Sequence, residues 1–251
     1  MTNTYGLIGK LLSHSFSPAY FAEKFEKLNL NAEYRLFELD DISKLPEFIR
    51  KYPNLKGLNV TIPYKKEVLP ILDELDKVVK ATGSVNTIQI KYKNGKTILK
   101  GFNTDVIGFE QTLLPFIENR KAIKALVLGT GGSALAVAFT LDKLGIDFVY
   151  VSRNPNHPKQ INYSEITKSV LENYHLIIQT TPLGMFPNTD NSPPIPYELL
   201  GKNHLLYDLV YNPKETVFMK KGKQNGAVAI NGQKMLEIQA DASWKIWETN
   251  I

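Results

Sequence analysis

The stretch 123–144 constrains the fold most. Residues 123–128 read as an apolar strand, and Gly129-Thr130-Gly131-Gly132-Ser133-Ala134 follows at once. Ala134, Val137, Ala138, Leu141 and Leu144 then recur at helical spacing. An apolar strand of this kind belongs in a parallel sheet with both faces covered. A glycine turn between such a strand and a helix is the dinucleotide-binding fingerprint. The first glycine allows the tight turn, the second lets backbone approach a pyrophosphate, and a small third residue lets helix pack on strand. The helix N-terminus attracts the phosphates. A plain glycine turn is the competing reading, and the strand–turn–helix context argues against it.

The next strand, 148–151, tests which dinucleotide would bind. An NAD site places Asp or Glu at its tip to accept from the ribose 2′-hydroxyl. Here the tip reads Val151-Ser152-Arg153-Asn154, and Asp147 lies at the other end of the strand. Arg153 suits a 2′-phosphate, so NADP is the expected cofactor; a solvated loop arginine is the alternative.

Strands alternate with helices through most of the chain. Strands are expected at 5–8, 33–39, 56–61, 123–128, 148–151, 175–179, 205–209 and 228–230. Helices are expected from Ser17-Pro18 to 29, over 42–52, from about 65 into 73–79, over 105–119, up to 144, and over 233–247. Ser17 suits an N-cap with Pro18 at the first helical position. Asn94-Gly95 between 87–92 and 97–102 is a strong hairpin signal. The βαβ repetition implies a doubly wound α/β domain in the second half.

Composition bounds the rest. The chain has 251 residues, 43% hydrophobic and 22% charged, which is globular composition with room for a sizeable core. It has no cysteine, which excludes disulfide scaffolds, cysteine nucleophiles and iron–sulfur clusters. The net charge of +5 is spread over short lysine clusters, and no stretch interleaves five or more basic residues with aromatics, so nucleic acid is not the expected partner. The N-terminus lacks a basic region followed by an apolar core, and no apolar run reaches the ~20 residues of a membrane span. A cytoplasmic location is expected.

Four polar segments sit where strands end or helices begin: Ser13-His14-Ser15-Phe16-Ser17-Pro18, Asn59-Val60-Thr61-Ile62-Pro63-Tyr64-Lys65, Gly83-Ser84-Val85-Asn86-Thr87 and Phe102-Asn103-Thr104-Asp105. Hydroxyls at a helix start can bind a carboxylate, but each segment also suits cap or turn chemistry. No histidine among His14, His157, His175 and His204 is spaced as a metal-ligand set, and no metal is expected.

With these segments in view, the chain resembles the shikimate 5-dehydrogenase family. The match runs from about residue 5 to residue 247. It adds Gly-Thr-Gly-Gly-Ser-Ala, Thr-Thr-Pro-Leu-Gly-Met, Tyr-Asp-Leu-Val-Tyr-Asn-Pro and Met-Leu-Glu-Ile-Gln-Ala, in family order. The resemblance implies an N-terminal α/β substrate domain, 1–104 with 231–251, and a Rossmann-type doubly wound NADP-binding domain, 105–230, with a cleft between them. It implies reversible NADPH-dependent reduction of 3-dehydroshikimate to shikimate, in chorismate and aromatic amino-acid biosynthesis. Lys65 and Asp105 would be the catalytic pair. Ser15 and Ser17 would bind the substrate carboxylate; Thr61, Asn86, Asp105 and Gln239 would bind ring hydroxyls, and Tyr211 would line the pocket. Gly129, Thr130, Gly131, Gly132, Ser133 and Ala134 would hold the pyrophosphate. Ser152, Arg153 and Asn154 would face the adenosine phosphate, Thr180 and Thr181 would pass near the cofactor, and Gly232 and Met235 would lie near the nicotinamide. The family commonly has Asn-Arg-Thr or Asn-Arg-Ser where this chain has Ser152-Arg153-Asn154; the arginine is kept and its neighbours differ.

The expected partner is the small-molecule substrate, with the enzyme a monomer or homodimer. Two other readings stay open: a quinate/shikimate dehydrogenase of broader use, and a catalytically silent cofactor-binding protein on the same fold.

Overall fold

The structure, a computed structural model, describes residues 2–12, 15–118 and 122–249. Ser13 and His14 of the first polar segment, and residue 119 at the end of one expected helix, lie outside them. The chain divides into two compact units, Met1–Thr104 with Ala240–Ile251, and Asp105–Gln239.

In unit one the elements are β1 (Asn3–Gly9), α1 (Ser17–Lys27), β2 (Ala32–Glu38), α2 (Leu45–Arg50), β3 (Leu55–Val60), α3 (Tyr64–Glu67), β4 (Glu74–Leu75), α4 (Lys77–Thr82), β5 (Thr87–Lys93) and β6 (Lys96–Phe102). The sheet order is β2-β1-β3-β5-β6-β4. β2, β1 and β3 run parallel, β5 is antiparallel to β3 and β6, and β4 is parallel to β6. Asn94 and Gly95 turn the β5–β6 hairpin with φ of 52° and 73°. Both are left-handed, as a two-residue turn matching strand twist requires.

Three local expectations need correction. The helix expected from 65 into 73–79 is three pieces: α3, a 3₁₀ turn at Leu69–Ile71, and α4 after the short β4. Pro70 has no N–H to continue a helix, and Asp76 starts α4 afresh by accepting from the Val79 N–H at 2.7 Å. Ser17 is not an N-cap. Helix α1 begins at Ser17 itself, with Phe16 at the cap and no side-chain cap bond. The expected helix 42–52 likewise splits into a 3₁₀ turn, Ile42–Lys44, and α2.

The sheet of unit one is covered on both faces. One core gathers Ile8, Leu45, Leu58, Val68 and Ile88. The other gathers Tyr5, Phe21, Phe25, Ala240, Trp244 and Trp247. Gly57 in β3 makes the second possible, because a Cβ there would lie 2.2 Å from Trp247 Nε1. The Trp247 indole N–H donates to the Ile88 carbonyl at 3.0 Å.

Unit two comprises α5 (Asp105–Ile117), β7 (Ala125–Leu128), α6 (Gly132–Lys143), β8 (Phe148–Val151), β9 (Gln160–Ile161), α7 (Lys168–Leu171), β10 (Leu176–Gln179), β11 (Leu205–Asp208), α8 (Val217–Gln224), β12 (Val228–Ile230) and α9 (Gln233–Glu248), which continues into unit one. Its sheet is parallel throughout, in the order β12-β11-β10-β7-β8-β9. Read from β9, that is the doubly wound order 3-2-1-4-5-6, with its reversal between β7 and β10. Cores cover both faces, one with Phe109, Val137, Tyr207 and Met235, the other with Leu126, Ile177, Leu206 and Phe218. Among the described residues no helix is long and apolar enough to cross a membrane.

Candidate active site

Ligands of open α/β sheets bind outside the strand C-termini where strand order reverses. In unit two that point lies between the ends of β7 and β10, and the glycine loop opens there. Gly129 has φ +111°, and a Cβ on it would meet Thr180 Oγ1 at 2.7 Å and Thr181 Cγ2 at 2.9 Å. The chain after β10 therefore crosses directly over the first glycine. It is held by Thr180, whose N–H and hydroxyl both donate to the Leu128 carbonyl, at 3.0 and 2.7 Å. Thr181 in turn donates to Gln179 Oε1.

Gly131 is the N-cap of α6, with no side-chain cap bond and nothing within 4 Å of the Cβ position. That leaves exposed backbone at Gly131 facing open space at the N-terminus of α6, the kind of cradle a pyrophosphate needs. Thr130 is exposed, Gly132 and Ser133 are half-buried, and Ala134, in the first turn of α6, is fully buried.

The neighbouring strand ends beside this loop, since the Gly129 N–H donates to the Val151 carbonyl at 2.9 Å. Ser152 Oγ accepts from the Asn154 N–H, and the Arg153 carbonyl accepts from Asn162 Nδ2. The Arg153 side chain is exposed, and among the described residues no carboxylate pairs with it. Asp147 lies at the opposite end of β8, where Lys124 approaches it at 3.8 Å. The residues present thus fit a phosphorylated dinucleotide: a cradle for the pyrophosphate and an exposed guanidinium one strand away.

On the other side of the switch, Gly232 leads into α9. Its N–H donates to the Val210 carbonyl at 3.1 Å, and a Cβ would lie 2.1 Å from the Leu209 carbonyl oxygen. Only glycine allows that approach. Tyr211 is half-buried in the loop after β11. Met235 is 6% exposed and packs in the unit core, so little of it faces outward. Gln239, buried, donates to the Leu236 carbonyl within the helix at 2.9 Å. Asp105 is a buried first residue of α5.

In unit one the expected residues cluster at the strand ends. The Ser15 hydroxyl accepts from the Ser17 N–H at 3.3 Å. Thr61 follows β3, its N–H donating to the Ile8 carbonyl and its carbonyl accepting from the Tyr64 N–H, which starts α3. Lys65 is half-buried on that helix, and its carbonyl accepts from the Val85 N–H at 2.8 Å. Asn86 is buried; its Oδ1 accepts from the Thr104 N–H at 2.7 Å, and its Nδ2 donates to Thr104 Oγ1 at 2.9 Å.

Behind these residues lies a buried polar network that sequence reading did not assign. The Tyr34 hydroxyl bonds to Ser17 and donates to Asn59 Oδ1 at 2.8 Å. Burial holds the Tyr34 phenol far above its ordinary pKa, so it is a neutral donor. Asn59 Nδ2 donates to Ser243 Oγ at 2.9 Å, and the Ser243 hydroxyl bonds to Thr87 at 2.8 Å and Thr104 at 3.1 Å. The sequence-level signal was Asn59, a polar amide between the apolar Leu58 and Val60 of a strand; Tyr34 and Ser243 carried none.

Asp208, at the end of β11, is fully buried. Burial pushes its carboxyl from 3.8 up to about 6, against hydrogen bonds from Thr216 and Val210 that pull it down. Between those values the folded protein holds a proton that the unfolded chain has released. Stability from this group is present at lower pH and falls as pH rises through that window, by on the order of 2–3 kcal/mol. Denaturant unfolding of the wild type and Asp208→Asn checks this: the wild type should lose that much relative to the variant between about pH 4 and about pH 7. A pH-independent difference would show an ordinary carboxyl.

The comparisons with known proteins agree with this geometry. Residues 7–88 match the family model described as the shikimate dehydrogenase substrate binding domain. A shikimate dehydrogenase (NADP+) of Methanococcus maripaludis is 37% identical, over 98% of this chain and 92% of its own. The crystal structure of a shikimate dehydrogenase in complex with NADP+ superposes with a TM-score of 0.84 at 35% identity, covering 99% of this chain and 90% of that one. The Thermus thermophilus shikimate 5-dehydrogenase in complex with NADP(H) and shikimate gives 0.82 at 28% identity, with coverage of 99% and 94%. With its sheet order, its glycine cradle and a full-length likeness of this extent, the chain belongs to the shikimate dehydrogenase family.

Proposed function

We propose that this chain catalyses the reversible NADPH-dependent reduction of 3-dehydroshikimate to shikimate, a CH-OH oxidoreductase step in chorismate and aromatic amino-acid biosynthesis. One observation carries the reading: a glycine cradle at the sheet reversal, with an exposed Arg153 on the neighbouring strand end, in a chain 37% identical to an NADP+ shikimate dehydrogenase over 98% of its length. NADPH, when bound, supplies the hydride. The chain's residues do the rest. Ser15 and Ser17 hold the substrate carboxylate; Thr61, Asn86, Asp105 and Gln239 hold ring hydroxyls, and Tyr211 lines the pocket. Lys65 donates a proton to the alkoxide that ketone reduction creates, and Asp105 orients it. Gly129, Thr130, Gly131, Gly132, Ser133 and Ala134 bind the pyrophosphate, with Thr180, Thr181, Gly232 and Met235 around the rest of the cofactor. Ser152, Arg153 and Asn154 meet the 2′-phosphate. The enzyme works in the cytoplasm on small molecules without nucleic acid, as a monomer or homodimer.

The test is dehydrogenase turnover with purified protein. Shikimate with NADP+ should produce NADPH, with quinate and NAD+ as comparison arms. Absence of turnover returns the chain to a silent cofactor-binding role, and comparable use of quinate makes it the broader enzyme. A charge-assisted phosphate contact contributes roughly 1.5–3 kcal/mol. Arg153→Ala should therefore raise the NADP+ KM about 10- to 100-fold and leave the NAD+ KM within about twofold. Equal effects on both cofactors would remove Arg153 from the phosphate site.

A further inference from the structure

Two of the residues proposed above, Tyr211 and Gly232, belong to segments tied together by one backbone unit, Val210. Its carbonyl accepts from the Gly232 N–H at 3.1 Å. Its N–H donates to Asp208 Oδ1 at 3.0 Å. Asp208 Oδ2 accepts from the Thr216 hydroxyl at 2.6 Å. Thr216 is 1% exposed and caps α8, its Oγ1 accepting from the Met219 N–H. One carboxylate therefore clamps both ends of the loop 209–216.

The same loop is pinned elsewhere. The Leu209 N–H donates to the Gln179 carbonyl at 3.0 Å, and the Phe186 N–H donates to the Asn212 carbonyl at 3.0 Å. Asn231 Nδ2 donates to the Lys214 carbonyl at 2.8 Å. Within this frame Asp208 is the buried charge-capable group. Among the described residues it has no cationic partner. Burying a carboxyl without a cation is costly, and its two oxygens let it accept from two separate donors at once. Met219 and Phe218 already fill the core beneath. The carboxyl's contribution is thus to loop geometry rather than to packing.

We propose that Asp208 is a positioning residue, holding Tyr211 and Gly232 in place through the backbone of Val210 and the hydroxyl of Thr216. The inference rests on the reading that Tyr211 lines the substrate pocket. Asp208 touches no reacting atom in this account.

The experiment has two readouts on Asp208→Ala. The first is amide hydrogen exchange without substrate. Val210 and Gly232 should exchange about tenfold faster or more, while the β11 amide of Tyr207 stays protected. The second is kinetic. The shikimate KM should rise about tenfold with a smaller change in kcat, and in a Tyr211→Ala background the same substitution should add less than about twofold. Asp208→Asn, which keeps an acceptor for the Val210 N–H, should recover most of both losses. Unchanged exchange at Val210 and Gly232, or effects of Asp208 and Tyr211 that simply multiply, would overturn the proposal. If Asp208→Ala does not fold, Thr216→Val removes one donor at constant shape. It should show both changes in smaller measure, and showing neither is equally fatal. Exchange is read without turnover, so its failure sinks the inference on Asp208, whereas a wild type inert toward shikimate sinks the functional reading.

Discussion

Lys65→Ala is expected to lower kcat for shikimate oxidation by ~10²–10⁴-fold, the range of a general acid–base group. NADP+ affinity should stay within about twofold of the wild type. Ketone reduction leaves charge on oxygen, and a lysine ammonium can both stabilise and protonate it. The backbone around Lys65 is held by hydrogen bonds: its carbonyl accepts from the Val85 N–H, and α3 starts from the turn closed between the Tyr64 N–H and the Thr61 carbonyl. The side chain is therefore presented from a fixed base rather than from a flexible loop. Lys65→Arg separates charge from proton transfer, since a guanidinium keeps the charge and does not release its proton near neutral pH. It should remain near the alanine level. A kcat within a few-fold of the wild type in Lys65→Ala would show that another group is the donor.

Trp247→Ala should destabilise the protein by about 3–5 kcal/mol, the range for removing a fully buried large aromatic. Trp247 is fully buried, stacks on Tyr5 with centroids 5.1 Å apart, and approaches Phe21 at 5.5 Å. Truncation empties that space and leaves the Ile88 carbonyl without its indole donor. Gly57 opposite cannot fill the void, because its backbone is fixed in the β3 ladder. Because Trp247 shares α9 with Ser243, the loss should also loosen the network of Ser243 with Asn59, Thr87 and Thr104. Urea unfolding measures the first effect. Trp247→Phe, which keeps most of the apolar volume, should retain more than half of the stability lost in the alanine variant. Equal loss in both would assign the effect to the indole N–H alone.

Wherever a few neighbouring residues decide the conformation, the chain was legible. Asn94-Gly95 makes its hairpin because both residues tolerate positive φ. The glycine loop after β7 follows from the +111° φ at Gly129 and the open space at Gly131. Apolar periodicity misled at 65–79, where it continues past Pro70 although the helix does not. The two-residue strands β4 and β9 exist only because β6 and β8 offer them partners. Nothing local marks them.

The site divides in the same way. Motif spacing placed the cradle, Arg153 and the serine, lysine and asparagine positions on their strand ends and helix starts. It did not reveal that the Ser17 hydroxyl leans on Tyr34, that Tyr34 leans on Asn59, or that Ser243 closes the network from a helix 184 residues downstream of Asn59. Nor did it reveal that Asp208 ties Val210 to Thr216. Turn chemistry, helix caps and phosphate cradles are set by sterics and hydrogen bonds within a few residues, so they are written in the order of the amino acids. Strand order, the reversal between β7 and β10, and the buried networks depend on which distant donors and acceptors are desolvated together. That pairing arises only once the chain has packed.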